Sequence, residues 1–403
     1  MTPDDPFTRI SAEIARLGVA ELAAELVCRP SHPGLPRQEE AVALALARFL
    51  REQGLAVELD EVAPGRPNLL CTLKAPRPGR HLLLCGHTDT VPLNESDAGV
   101  GFSGEVVDGR LQGRGAVDMK GALAAMAVAL VALARELPAG SVTFAAVIDE
   151  EMESLGAERL VASGFAADGA VVGEPSANRV ALGHKGLEWL SVRFEGRAAH
   201  GGRPEEGINA LSAAARFITL VEERLAPRLA ARRHPLLGAP TLNFGTLHGG
   251  DQPSTVAATA VVTLDRRLVP GESFGSVTAE LLELLAEVER GLPGLTTRLR
   301  RVPGGMATLD HGPLETAPDH PLASAAARAR QQVCGEAGEF TAFPAWTDGA
   351  LLANFGGIPS LILGPGDLSL AHSPRESVPV AELVEAALLY AALALDFCAG
   401  EPA

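Results

Sequence analysis

The sequence predicts an α/β protein in which a mostly parallel sheet domain is interrupted by a smaller α+β domain. Three observations predict it. Strand and helix patterns alternate between His81 and Val172, as in a layered parallel fold. Between Leu187 and Arg301 the order becomes strand–helix–strand–strand–helix–strand, the split βαβ unit of a small sandwich. After Pro303 the first texture returns, so one domain lies inside the other. The expected bounds are 1–180 and 303–403 for the two parts of the outer domain and 181–302 for the insert.

In chain order, residues 8–28 carry an amphipathic helical pattern that ends before Arg29-Pro30, and Pro30, Pro33, Gly34 and Pro36 mark a loop. A helix is expected over 38–53 and strands over Leu55–Leu59, Asn68–Leu73 and His81–Cys85. The last is an almost unbroken apolar run, as expected of a strand covered on both faces. Gly86 to Gly115 is a long Gly-rich stretch with little regular pattern, and loops of that length are usually functional or disordered. A helix follows over 119–136, a strand over Val142–Ile148, a short helix over Leu155–Ala162 and a strand over Gly169–Val172. In the insert, Leu187–Phe194, Leu242–Leu247, Val256–Leu268 and Leu295–Arg301 read as strands, and Ile208–Leu225 and Val277–Glu289 as helices. The last part holds helices near 321–334, 348–354 and 380–398 and an apolar strand at Pro359–Leu363.

Composition bounds what such a chain does. Its 403 residues are 47% hydrophobic but only 4% aromatic, enough for a sizeable aliphatic core. The formal net charge is −16, which excludes a broad nucleic-acid surface, because that binding rests on Lys and Arg neutralising phosphates. The longest uncharged apolar run, Gly121–Leu133, is shorter than the roughly 20 residues a membrane span needs. The N-terminal MTPDDPFTRI has no basic segment followed by an apolar one, so no secretory signal is expected. The five cysteines are scattered without a C-x-x-C spacing, which speaks against a disulfide framework or a thiolate zinc site. The expectation is a soluble cytoplasmic protein with neither membrane nor nucleic acid as partner.

Five acidic or imidazole-bearing patches fall at the ends of predicted strands or in the loops after them. They are His87-Thr88-Asp89-Thr90, the Gly113–Gly121 stretch around Asp118, Asp149-Glu150-Glu151, Gly173-Glu174-Pro175-Ser176 and Ala371-His372-Ser373-Pro374-Arg375-Glu376. Ligands of open α/β sheets bind outside the carboxyl ends of the strands, so these patches can converge on one crevice. Imidazole nitrogen and carboxylate oxygen are zinc donors. A carboxylate cluster without a cation would repel itself and raise its own pKa values. Asp89, two residues beyond His87 on an extended chain, is placed to accept the second imidazole N–H. Thr347-Asp348-Gly349 reads either as a motif beside that crevice or as a helix N-cap.

Taken in this order, the patches resemble the dinuclear zinc amidohydrolase family of acetylornithine deacetylase, succinyl-diaminopimelate desuccinylase, aminoacylase and carboxypeptidase G. The resemblance runs from about Ala41 to Leu395 and includes Ala199-His200-Gly201-Gly202-Arg203-Pro204-Glu205-Glu206-Gly207-Ile208-Asn209-Ala210 and Asp265-Arg266-Arg267-Leu268-Val269-Pro270-Gly271-Glu272. It implies a zinc-peptidase-like α/β/α catalytic domain with an inserted ferredoxin-like lid and dimerisation domain, and two Zn²⁺ ions for which Co²⁺ or Mn²⁺ can substitute. His87 and Glu174 would bind one ion, Glu151 and His372 the other, and Asp118 both, with the Asp118–Met119 peptide cis. Glu150 would be the general base. Asp89 and Glu376 would orient His87 and His372. His200 would stabilise the oxyanion, in related enzymes often from the partner subunit, and Arg267 would grip a substrate carboxylate. Where many relatives carry an Asn, this chain reads Gly249-Gly250-Asp251-Gln252-Pro253-Ser254-Thr255-Val256-Ala257, and Ser254 is the donor that stretch offers. The implied enzyme is a homodimeric deacylase of N-acyl amino acids, or alternatively a dipeptidase or carboxypeptidase acting on short peptides. A metal-binding homologue without catalysis is disfavoured, because all the ligands and the base are present.

Overall fold

A computed structural model describes residues 5–94, 101–303 and 309–401. Positions 95–100 of the predicted Gly86–Gly115 loop and residues 1–4 lie outside them. The chain divides into two units. One comprises Met1–Gly183, Leu314–Phe343 and Thr347–Ala403, the other His184–Pro313 with Pro344–Trp346.

The first unit begins with α1 (Pro6–Leu17), α2 (Val19–Val27) and α3 (Glu40–Glu52). The single helix expected over 8–28 is in fact two. Gly18 takes φ 74° and its N–H bonds back to the Ile14 carbonyl, a left-handed cap that ends α1. Strands β1 (Glu58–Ala63), β2 (Arg66–Lys74) and β3 (His81–His87) follow, then the short β4 (Val106–Val107) and β5 (Arg110–Gln112). β1 therefore lies a few residues beyond the expected Leu55–Leu59. A π turn at Ala116–Lys120 runs into α4 (Gly121–Leu133). Every residue of α4 is buried. The segment Ala116–Leu133 is, among the described residues, the one helix long and apolar enough to cross a membrane. β6 (Ser141–Val147), α5 (Leu155–Ala162), β7 (Gly169–Val172) and β8 (Ala181–His184) complete this stretch.

The second unit contains β9 (Gly186–Glu195), α6 (Ala210–Leu220), α7 (Ala226–Ala231), β10 (Thr241–Gly249), β11 (Thr259–Leu268), α8 (Phe274–Gly291) and β12 (Thr296–Arg301). α6 and α7 are joined by a π turn at Val221–Leu225. The four strands form an antiparallel sheet in the order β10-β11-β9-β12, the arrangement of a split βαβ sandwich. Alternate residues of β9 are buried, because one face of the sheet is covered. Leu190, Val192 and Phe194 of that face share a core with Ala213 and Phe217 of α6 and Leu281 and Leu285 of α8.

The first unit resumes with β13 (Leu314–Glu315), α9 (Pro321–Cys334), β14 (Thr341–Phe343), α10 (Gly349–Asn354), β15 (Ser360–Ile362), β16 (Ser377–Pro379) and α11 (Val380–Cys398). Its main sheet has the order β1-β2-β6-β3-β7-β15-β8-β13. The centre is parallel: β3 runs with β6 and β7, and β15 with β7. β1 and β2 are added antiparallel on one side and β8 on the other. The strands β8, β13, β14 and β16, of two to four residues, carry too few positions for a period-two pattern. Parallel strands end on the same side, so the residues after β3, β6 and β7 emerge together.

Candidate metal centre

His87 is the last residue of β3 and is buried. Gly86 before it is a close approach: a Cβ there would stand 2.3 Å from Met119 Cε. That contact lets the end of β3 lie against the loop that carries Asp118. Within the π turn, Asp118 leaves helical geometry (φ −123°, ψ 94°), and the Asp118–Met119 peptide is cis.

Asp118 is the centre of the cluster. Its Oδ1 lies 2.9 Å from His87 Nε2 and its Oδ2 3.3 Å from His372 Nε2. On the first side, His87 Nε2 is also 3.6 Å from Glu174 Oε1. On the second, His372 Nε2 is 2.9 Å from Glu151 Oε1. One carboxylate thus faces two imidazoles, each with a further carboxylate. Donor atoms of His87, Asp118 and Glu151 all lie within 4.8 Å of one another, as do those of His87, Glu150 and Glu174.

The electrostatics follow from that crowding. Burial pushes the Glu174 and Glu150 carboxyls well above the usual range, and neighbouring negative charges push them further. Burial also raises Asp118, but hydrogen bonds from His372 and His87 outweigh it and hold the group below its ordinary value. His372 is pushed up to about 10, chiefly by Asp118 and Glu151. Imidazole nitrogens and carboxylate oxygens, with His87, Asp118 and Glu174 buried and His372 on the exposed side, make a donor set that fits divalent metal ions.

Asp89 does more than the sequence suggested. His87 Nδ1 is 3.0 Å from the Asp89 backbone oxygen and 3.5 Å from its Oδ1, so the main chain is the closer partner. The Asp89 carboxylate accepts the N–H groups of Glu150 (3.2 Å) and Glu151 (3.0 Å). It thereby fixes the turn after β6 that presents both glutamates. Asp149 is turned away to Arg66 at 2.5 Å, and Arg66 also holds the buried Glu39.

Glu376 differs from the expectation that it orients His372. Its described partners are Arg114 Nη1 at 2.5 Å and the N–H groups of Gly115, Val117 and Asp118. The physical reason is the pairing of β16 with β5, which carries Glu376 to the Asp118 loop. Asp348 stands at the N-cap position of α10 without a capping hydrogen bond from its side chain. It is buried, and that burial lifts its carboxyl to about 7.

The remaining residues belong to the second unit. His200 is exposed and bridges to Thr255. Its Nδ1 accepts the Gly202 N–H at 3.1 Å, which places the proton of the neutral ring on Nε2. Ser254 is exposed, and its carbonyl accepts the Gly201 N–H at 2.7 Å. Arg267 is engaged by Asp265, Nε to Oδ1 at 2.8 Å and Nη2 to Oδ2 at 3.0 Å. Trp189 Nε1 donates to the same carboxylate at 3.2 Å. Sequence reasoning missed Arg114, Asn68, the Trp189–Asp265 contact and the Asp89 grip on two peptide N–H groups. Each joins stretches remote in the chain, and no local spacing signals it.

Comparison with known proteins agrees with this geometry. Residues 83–396 match Peptidase family M20/M25/M40. An acetylornithine deacetylase of Proteus mirabilis is 30% identical over 401 residues, covering 95% of this chain and 97% of the relative. Among solved structures, aminopeptidase PepT of Bacillus cereus superposes with a TM-score of 0.76 at 21% identity, covering 94% of this chain and 98% of that one. A dinuclear metal-binding peptidase of Bacillus subtilis gives a TM-score of 0.70 at 16% identity, over 96% and 99% of the two chains.

Proposed function

The chain belongs to Peptidase family M20/M25/M40, and from that premise we propose that this metallohydrolase removes the acyl group from N-acyl amino acids, as acetylornithine deacetylase and succinyl-diaminopimelate desuccinylase do. The observation that carries the chemistry is Asp118, whose two oxygens each face one imidazole with Glu150 alongside. The choice of substrate class is supported by the full-length relative at 30% identity.

His87 and Glu174 would hold one divalent ion, Glu151 and His372 a second, and Asp118 both, with zinc favoured by the donor set and cobalt or manganese as substitutes. Ions held there supply Lewis acidity, polarising a carbonyl and making water more acidic. Glu150, half-buried among like charges, takes a proton from the attacking water and returns it to the leaving nitrogen. His200 donates its Nε2–H to the developing oxyanion. Arg267 has its Nε–Nη2 edge occupied by Asp265, which leaves the terminal guanidinium edge for the substrate carboxylate. Ser254 adds a hydroxyl donor from the turn just before Thr255, the residue bridged to His200. The second unit acts as a lid and joins two copies into a homodimer.

The test is hydrolysis of N-acetylornithine, N-succinyl amino acids and dipeptides by the protein loaded with Zn²⁺ or Co²⁺. The expected outcome is turnover of N-acyl amino acids at higher kcat/KM than any dipeptide. Turnover of dipeptides with inert N-acyl amino acids would establish the peptidase reading instead.

A further inference from the structure

The chain that carries His372 is strapped to the loop that carries Asp118. β16 lies antiparallel to β5, with Ser377 opposite Gln112 and Pro379 opposite Arg110. Just before β16, Glu376 is 1% exposed. Its Oε1 accepts the N–H of Gly115 at 2.8 Å, with those of Val117 and Asp118 at 3.3 and 3.4 Å. Its Oε2 receives Arg114 Nη1 at 2.5 Å. Arg114 is itself buried. The Gly113 N–H donates to the Glu376 backbone oxygen at 3.1 Å. One buried carboxylate therefore gathers the peptide N–H groups of the turn from which Asp118 projects, and a buried guanidinium holds that carboxylate.

We propose that Glu376 and Arg114 are positioning residues for Asp118, and that they set the separation of the two halves of the metal centre. Asp118 must direct one oxygen at His87 and the other at His372, so a small rotation of its peptide moves both contacts. His372 lies four residues before Glu376 on the same strap. A single lock thus fixes the ligand Asp118 against the segment bearing the ligand His372. His87 and Glu174, by contrast, are held by β3 and β7, whose hydrogen-bonded ladder does not involve this pair. Partners of this kind beyond the ligands themselves tune metal affinity by about 10–100-fold. The inference rests on the two-ion reading given above.

The experiment is competition for Zn²⁺ between a chelator of known affinity and the zinc-loaded full-length protein. The chains compared are wild type, Glu376→Gln, Arg114→Lys and Glu188→Gln. Glu188 is an equally buried carboxylate, held by Arg301 at 2.7 and 2.9 Å in the second unit. It measures what the loss of a buried ion pair does by itself. Glu376→Gln is expected to weaken binding of at least one of two Zn²⁺ by about 10–100-fold. Arg114→Lys keeps the charge without the fixed fork and should lie between it and wild type. Glu188→Gln should lower the melting temperature while leaving Zn²⁺ affinity at the wild-type value. Wild-type affinity in Glu376→Gln, or an equal loss in Glu188→Gln, would overturn the inference. If Glu376→Gln does not fold, Arg114→Lys decides it, and wild-type affinity there overturns it. A wild-type chain that takes up no Zn²⁺ would overturn the proposed function itself.

Discussion

Glu150 and Glu151 are neighbours whose backbone N–H groups share one acceptor, the Asp89 carboxylate, yet they are assigned different work. Glu151 contacts His372, whereas Glu150 has donor atoms near both His87 and Glu174. The proposed mechanism makes Glu150 the base, and the geometry brings it near enough to be a ligand. Glu150→Gln separates the two roles. As base, its loss lowers kcat by about 10²–10⁴-fold while elemental analysis still finds two metal ions per chain. A fall to one ion would make Glu150 a ligand. Such residues were legible in the sequence because each sits in a short motif at a strand end, where chemistry and position coincide. Glu376 was legible as important but not in its role. Its partner Arg114 lies 262 positions away, and only the pairing of β16 with β5 brings the two together.

At the scale of elements, the turn after β6 depends on a side chain from another strand. Asn68, near the start of β2, is wholly buried. Its Nδ2 donates to the Gly156 carbonyl at 2.8 Å and its Oδ1 accepts the Ile148 N–H at 3.1 Å. It thus fastens the end of β6 to the start of α5, with Asp149, Glu150 and Glu151 between. Asn68→Leu strands both peptide groups, at roughly 1–3 kcal/mol for each buried group left without a partner. The variant should show a lower urea midpoint and reduced activity together, and an unchanged midpoint would show that the turn holds without Asn68. Long elements of strong pattern were legible for two reasons: burial on one face gives β9 a period of two, and burial on every side makes β3 and α4 nearly unbroken apolar runs. Gly18 hid the break between α1 and α2, because the apolar pattern continues through it in the next helix. A glycine in a helical run reads as tolerated until its φ is known.

For the whole molecule, the chain's own division explains why the candidate residues are spread over 286 positions, from His87 to His372. The cluster around Asp118 belongs entirely to the first unit, while His200, Ser254 and Arg267 belong to the second. The proposed mechanism therefore needs both units, and in a homodimer the His200 that serves a given Glu150 comes either from the same copy or from its partner. Mixed subunits distinguish the two. Glu150→Ala and His200→Ala should each be nearly inactive alone. If His200 acts across the dimer, a hybrid holds one site with both residues intact and one with neither. Random exchange of equal amounts makes half the dimers hybrid, so about a quarter of the wild-type rate should return. If His200 acts within its own copy, no hybrid contains a complete site and no rate returns. Subunit exchange proven by mass spectrometry, with no recovered activity, would place His200 in the same chain as the Glu150 it serves and leave the second unit a lid that works within one copy.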